Sequence, residues 1–181
     1  AMNKLYGTDP LFIFDPQDNS NRPDANFHKN ALVYWKIYPD FIKDLFIKAF
    51  THGIKDGENG RVRESEWKSA MVKLRDHIIY CPYCKSENFF NKKQNIECWN
   101  CKKKVPLPFR LKIGRNINSL NYNTKLYPHH IKGKDYDFSK PLAEVSQHPK
   151  NPNIWGLKNS SGEIWAVVDK EGILATLSLV P

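Results

Sequence analysis

Two pairs of cysteines, spaced C-x2-C-x13-C-x2-C, constrain this chain more than any other feature. They are Cys81, Cys84, Cys98 and Cys101, and the chain of 181 residues has no other cysteine. A C-x-x-C turn aims two sulfurs at one point, and the 13-residue interval is long enough for a hairpin that returns the second pair to the first. Four thiolates at one point suit a closed tetrahedral Zn²⁺ site with no position left for water. The spacing therefore predicts one structural zinc ion. Two disulfides, or a redox-active C-x-x-C, are the competing readings. A thioredoxin-like site needs a single pair in a βαβ setting, and neither condition holds here. A module this small has little core of its own, so the metal contributes to its folding. Phe89 and Phe90, between the pairs, are expected to pack against it.

The N-terminus lacks the apolar segment of a secretory signal, and no run of apolar residues approaches the roughly 18 needed to span a bilayer. The expected compartment is the reducing cytoplasm, where thiols stay available to a metal. The Ala before Met2 reads as a cloning remnant, so an excised fragment is expected. With 40% hydrophobic and 13% aromatic residues, the chain can build a packed core. Its net charge of +9 is not spread evenly. Residues 85–140 hold 13 Lys and Arg against 4 Asp and Glu, while the remainder is balanced at 15 against 15. Four thiolates around zinc reduce the net charge to roughly +7. Such a basic middle either attracts phosphate groups or is simply a solvated lysine-rich surface.

Three segments follow from the patterning, and together they predict an α+β multidomain chain. The first, residues 1–80, is helical. Tyr38, Phe41, Ile42, Leu45, Phe46 and Ala49 line one helix face, with Pro39 and Asp40 in its first turn and Gly53 as its stop. A second helix is expected from about Glu64 to Ile79, with Trp67, Ala70, Met71, Leu74 and Ile78 on its face, and a shorter one around Ala31 to Trp35. Lys55 to Gly60 is a loop by composition. The second segment, residues 81–104, is a zinc ribbon. The third, residues 105–181, begins with the stiff linker Val105-Pro-Leu-Pro108 and then reads as strands: Leu111 and Ile113 alternate with basic residues, and Ile164–Val168 and Leu174–Val180 are β-rich.

The stretches Asp15-Pro-Gln-Asp-Asn-Ser-Asn-Arg-Pro23, Phe46-Ile-Lys-Ala-Phe-Thr-His-Gly53 and Arg61-Val-Arg-Glu-Ser-Glu-Trp67 resemble the end of a protein-kinase C-lobe. The pattern is similar to bacterial eukaryotic-like Ser/Thr kinases encoded in tellurite-resistance-type stress clusters, beside genes for von Willebrand A-domain proteins and PP2C-type phosphatases. In that family a cysteine ribbon and a forkhead-associated-like (FHA-like) β-sandwich follow the kinase domain. The resemblance implies a non-catalytic regulatory and interaction region of an ATP-dependent kinase, with those cluster proteins, some of them phosphorylated, as partners. The chain itself lacks a Gly-rich phosphate loop, V-A-I-K, H-R-D-x-x-x-x-N and D-F-G, so it is not expected to be an enzyme.

FHA domains bind phosphothreonine through loops at one end of the sandwich. By resemblance, Gly114-Arg115 supplies the usual Gly-Arg, His130 the histidine of the second motif, and Asn159-Ser160 the polar loop. The implied phosphopeptide-binding residues are Arg115, His130, Asn159 and Ser160. Tyr127 stands where that family has a phosphate-contacting Ser, and with Leu177-Ser-Leu-Val-Pro181 as its last residues the sandwich is expected to lack its final strands. Each residue also has a plainer reading: Asn159-Ser-Ser-Gly162 as an ordinary turn, His130 as a histidine bonded to backbone, Trp155 and Trp165 as core. The alternative function is nucleic-acid binding by the zinc ribbon, with Lys102-Lys-Lys104 and Trp99 as its basic and aromatic elements. His28, His52, His77 and His148 are scattered and read as surface or core residues.

Overall fold

A computed structural model describes residues 7, 9–90, 96–113, 116–133, 136–168 and 173–177. The fold is mixed α+β, in two compact units that meet between Leu107 and Pro108. Among the described residues no helix is long and apolar enough to cross a membrane.

The first unit opens with helices. Helix α1 (Lys29–Ile37) is followed by α2 (Asp40–Phe50), whose Asp40 sits in the first turn and whose Ile42 is buried. Pro39 precedes α2 as its N-cap, and its carbonyl accepts the first amides of the helix. The expected stop at Gly53 is corrected: α2 ends at Thr51, whose amide and hydroxyl both donate to the Ile47 carbonyl. A four-residue turn of helix, α3 (His52–Lys55), then contains Gly53. The loop that follows folds back on α3. Asp56 accepts the amides of Glu58 and Asn59, and the Gly60 amide donates to the Asp56 carbonyl. A Cβ at Gly60 would lie 2.5 Å from the His52 carbonyl oxygen, so only glycine fits there.

Helix α4 (Glu64–Asp76) starts where Glu66 reaches back to the Arg63 amide, 2.8 Å away, and Lys48 of α2 pairs with the same carboxylate at 3.0 Å. The helix ends earlier than the sequence suggests. Ile78, expected on its face, lies instead in strand β1 (Ile78–Tyr80), which pairs antiparallel with β2 (Glu87–Phe89). Three consecutive β-branched and aromatic residues favour the extended chain there.

Aromatic rings hold the helices together. Trp35 stacks on Phe14 with centroids 4.3 Å apart, and Phe46 lies edge-on to both Trp35 and Trp67. Phe12 joins this cluster through Phe14, Trp35 and Phe50. A second row of rings faces the cysteine module: Tyr34 meets Trp99, Tyr38 meets Phe89, and His77 lies between Phe41 and Phe90. The helical segment is thus supported on the module rather than standing alone.

The second unit is built of small antiparallel sheets. Strands β3 (Phe109–Ile113) and β4 (Asn116–Leu120) form a hairpin. Strand β5 (Lys125–Leu126), the short helix α5 (Pro128–Ile131), β6 (Ala143–His148) and β7 (Asn151–Asn159) follow, and the sheet order is β5-β6-β7. Strands β8 (Trp165–Val168) and β9 (Ile173–Leu177) make a further hairpin. Among the described residues of this unit, Leu126, Tyr127 and Ala143 are buried and apolar. The expected sandwich is not formed among the described residues. The largest described sheet has three strands, one of them two residues long.

The ring cluster yields a stability prediction. Trp35→Ala removes a partner of Phe12, Phe14 and Phe46 and should lower stability by about 3 kcal/mol, the low end for a large aromatic that is only half buried. Urea denaturation followed by far-ultraviolet circular dichroism reads this directly. A loss below about 1 kcal/mol would show that the cluster does not hold the helices together.

Candidate metal centre

Each cysteine pair occupies a tight turn between extended segments. Cys81–Ser86 connects β1 to β2, and Cys98–Lys103 lies within a second, smaller hairpin closed by the bridge between Glu97 and Lys104. The two turns are built alike. The amide of Cys81 donates to the Ser86 carbonyl at 3.0 Å and that of Lys85 to the Cys81 carbonyl at 2.9 Å. The amides of Cys98 and Lys102 make the equivalent bonds to Lys103 and Cys98, both at 2.9 Å. Lys85 and Lys102, each directly after the second cysteine of its pair, have φ of 63° and 62°. This left-handed conformation turns the chain back so that amides point at the sulfurs, and it is strained for any residue with a Cβ.

The four sulfurs converge. Cys81 Sγ lies 3.6 Å from Cys101 Sγ, Cys84 Sγ lies 3.5 Å from Cys98 Sγ, and all four are within 4.8 Å of one another. None is in a disulfide. Metal–sulfur bonds of about 2.3 Å in a tetrahedron place sulfurs about 3.8 Å apart, so the residues present fit such an ion. Cys81 and Cys98 are fully buried, and with Ile79, Phe90 and Val105 they form the core of this region. Cys84 and Cys101 are half-buried.

Hydrogen bonds prepare the sulfurs to carry negative charge. Burial acts against the Cys98 thiolate, but the amides of Cys101 and Asn100 and the Asn88 side chain outweigh it and hold the thiol below its usual range. The hydroxyl and amide of Ser86 pull Cys84 down to about 6. At Cys101 the Lys103 amide also pulls down, yet burial and the three neighbouring sulfurs prevail and push it up to about 11. That is the expected pattern for sulfurs crowded at one point, where each added charge raises the cost of the next. A divalent cation at their centre would supply the compensation.

A polar brace joins the two turns. Buried Asn88 accepts the Trp99 amide at 3.2 Å, donates to the Ser86 carbonyl at 2.9 Å and reaches Cys98 Sγ at 3.7 Å. Asn100 donates to the Ser86 hydroxyl at 3.0 Å. The Trp99 indole donates to the Glu87 carbonyl at 2.8 Å while its ring meets Tyr34, so this residue is a structural tie. The spacing of cysteines carries no trace of Ser86 and Asn88. It does place Tyr83 inside the first C-x-x-C, and that ring stands 58% exposed with Lys103 Nζ 4.6 Å from its centre.

Of the residues that the resemblance implies for phosphopeptide binding, the structure describes His130, Asn159 and Ser160. Arg115 lies outside the described residues. His130 Nδ1 accepts the Tyr127 amide at 2.8 Å, which caps α5 in the way a carboxylate caps a longer helix. Asn159 donates to the Glu163 carbonyl and accepts the amide and hydroxyl of Ser161, which closes the turn after β7. The Ser160 amide donates to the Leu142 carbonyl.

The strained turns give a test of the site's construction. Lys85→Gly relieves the left-handed strain, partly offset by a freer unfolded chain, and should stabilise the metal-loaded protein by roughly 0.5–1 kcal/mol. Lys85→Val should destabilise it by more than that, because a β-branched residue tolerates this conformation least. Equal denaturation midpoints for the two variants would contradict the geometry. Comparison with family models, with curated proteins and with solved structures finds no match to this chain, so the functional reading rests on the site itself.

Proposed function

We propose that this chain is a non-catalytic interaction region held in shape by one structural zinc ion on Cys81, Cys84, Cys98 and Cys101. The convergence of the four sulfurs within 4.8 Å carries the reading. Four thiolates suit zinc in a reducing compartment, and they complete a tetrahedron without a position for substrate. When bound, zinc neutralises the sulfurs and joins the two turns. The chain's own residues do the rest: Ser86, Asn88 and the turn amides donate to sulfur, and the rings of Tyr34, Tyr38 and His77 transmit the module's position to the helices.

The resemblance to the region after a stress-cluster Ser/Thr kinase domain extends this reading. In it, α2 to α4 close a kinase C-lobe, and the second unit docks partners such as the cluster's von Willebrand A-domain protein or phosphatase. The internal bonds of His130 and Asn159 favour docking that does not depend on phosphothreonine. Calorimetry with phosphothreonine peptides and their unmodified twins should then show no preference for phosphate. A peptide that binds only when phosphorylated, and that loses ten- to a hundredfold with Arg115→Ala as a charge-assisted bond would, restores the phosphate pocket.

Metal content tests the core of the proposal. Purified protein should carry about one equivalent of zinc, and cobalt substitution should give the thiolate charge-transfer bands of a tetrahedral four-sulfur site. Cys98→Ser should lose the metal and unfold the module, since it removes a buried ligand on which folding depends. A metal-free protein that stays folded with four freely titrating thiols would refute the zinc reading.

A further inference from the structure

The exposed tip of the cysteine module has a composition that its structural role does not require. Tyr83 projects from the first turn, 58% exposed, although aromatic rings nearby are used as packing. The Lys103 ammonium of the second turn lies 4.6 Å from its ring centre. Residues far apart in the chain thus meet because all four cysteines share one centre, so this face rests on the metal-held geometry proposed above. Lys85 is exposed on the first turn, and Lys104, also exposed, follows Lys103 in the bridge to Glu97 that closes the second. Lys102 is partly committed, its ammonium donating to the Trp99 carbonyl at 2.7 Å.

We propose that Tyr83, Lys85, Lys103 and Lys104 form a binding face for single-stranded nucleic acid. The tyrosine offers a flat surface on which an unpaired base stacks, and the lysines meet the phosphates on either side. The ligand class follows from the pairing of features. A ring beside ammonium groups suits a polyanion that carries its own flat apolar groups. A duplex keeps its bases stacked on one another and would use only the lysines. An acidic polypeptide would likewise depend on Lys103 and not on the Tyr83 ring. The rigid turn fixes Tyr83 in place, which lowers the entropy lost on binding.

The test is fluorescence anisotropy with labelled oligouridine and oligothymidine, using the full chain loaded with zinc and assayed for metal beforehand. Binding should be saturable, stronger for single strands than for a duplex, and should weaken with salt at a log–log slope of about −2 for three phosphate contacts. Tyr83→Ala should weaken it about tenfold, Tyr83→Trp should retain it, and Lys103→Ala should reduce the slope by about 0.7. Each variant is compared at the wild-type zinc content. Should Tyr83→Ala load poorly, the Trp and Lys103 variants decide the matter. No binding at low salt by zinc-loaded protein overturns the face while leaving the zinc reading intact. So does binding in which Tyr83→Ala is neutral, or in which a duplex or polyglutamate competes as well as a single strand. A wild-type chain without zinc fails in the metal assay, before any oligonucleotide is added.

Discussion

The rest of the first unit depends on four sulfurs being held at one point. Brought within 4.8 Å of one another, they would repel as thiolates, and as thiols they offer only weak hydrogen bonds. The amides of two strained turns and the side chains of Ser86 and Asn88 face them, an arrangement suited to sulfurs that carry charge. Neither hairpin has a core of its own. Ile79, Phe90 and Val105 gather around the buried cysteines, so the candidate metal centre is also the hydrophobic centre. The aromatic residues of α1 and α2 then lean on that centre through Tyr34, Tyr38 and Phe41. Electrostatics at one point and ring packing around it are therefore parts of one construction.

Much of the helical architecture is legible in the chain because its physical cause is local. Apolar spacing marks α2 and α4, and Pro39 with Asp40 marks where α2 begins. The ends are less legible because they are decided by competition. Ile78 continues the helical spacing of α4, yet pairing with Phe89 draws it into β1. Strands β6 and β7 leave little trace, since the alternation of Ala143 and Val145 with Glu144 and Ser146 stops at Gln147 and His148. What specifies them is pairing to each other across the Pro149–Lys150 turn, which is not a property of either segment alone.

The site divides in the same way. The cysteines announce themselves because ligand spacing is dictated by the geometry of a tight turn. Their supporting residues do not, because Ser86 and Asn88 are ordinary polar residues until the fold aims them at sulfur. The lysines at positive φ are equally silent, since glycine would have been the expected occupant. His130 and Asn159 illustrate the converse. Residue types suited to holding phosphate are equally suited to capping a short helix and closing a turn, and there the plainer chemistry is what the geometry displays.

The order of these contacts along the chain has a consequence for biosynthesis. The rings of Tyr34, Tyr38 and Phe41 leave the ribosome well before Phe89, Phe90 and Trp99, against which this side of the helices rests. Until Cys98 and Cys101 have also emerged, no four-sulfur centre can form, and the nascent helices carry an uncovered aromatic side. With the proposed zinc as the closing contact, translation would impose a waiting period that ends on capture of the ion. Scarcity of metal would then lengthen the interval in which that aromatic side stays uncovered.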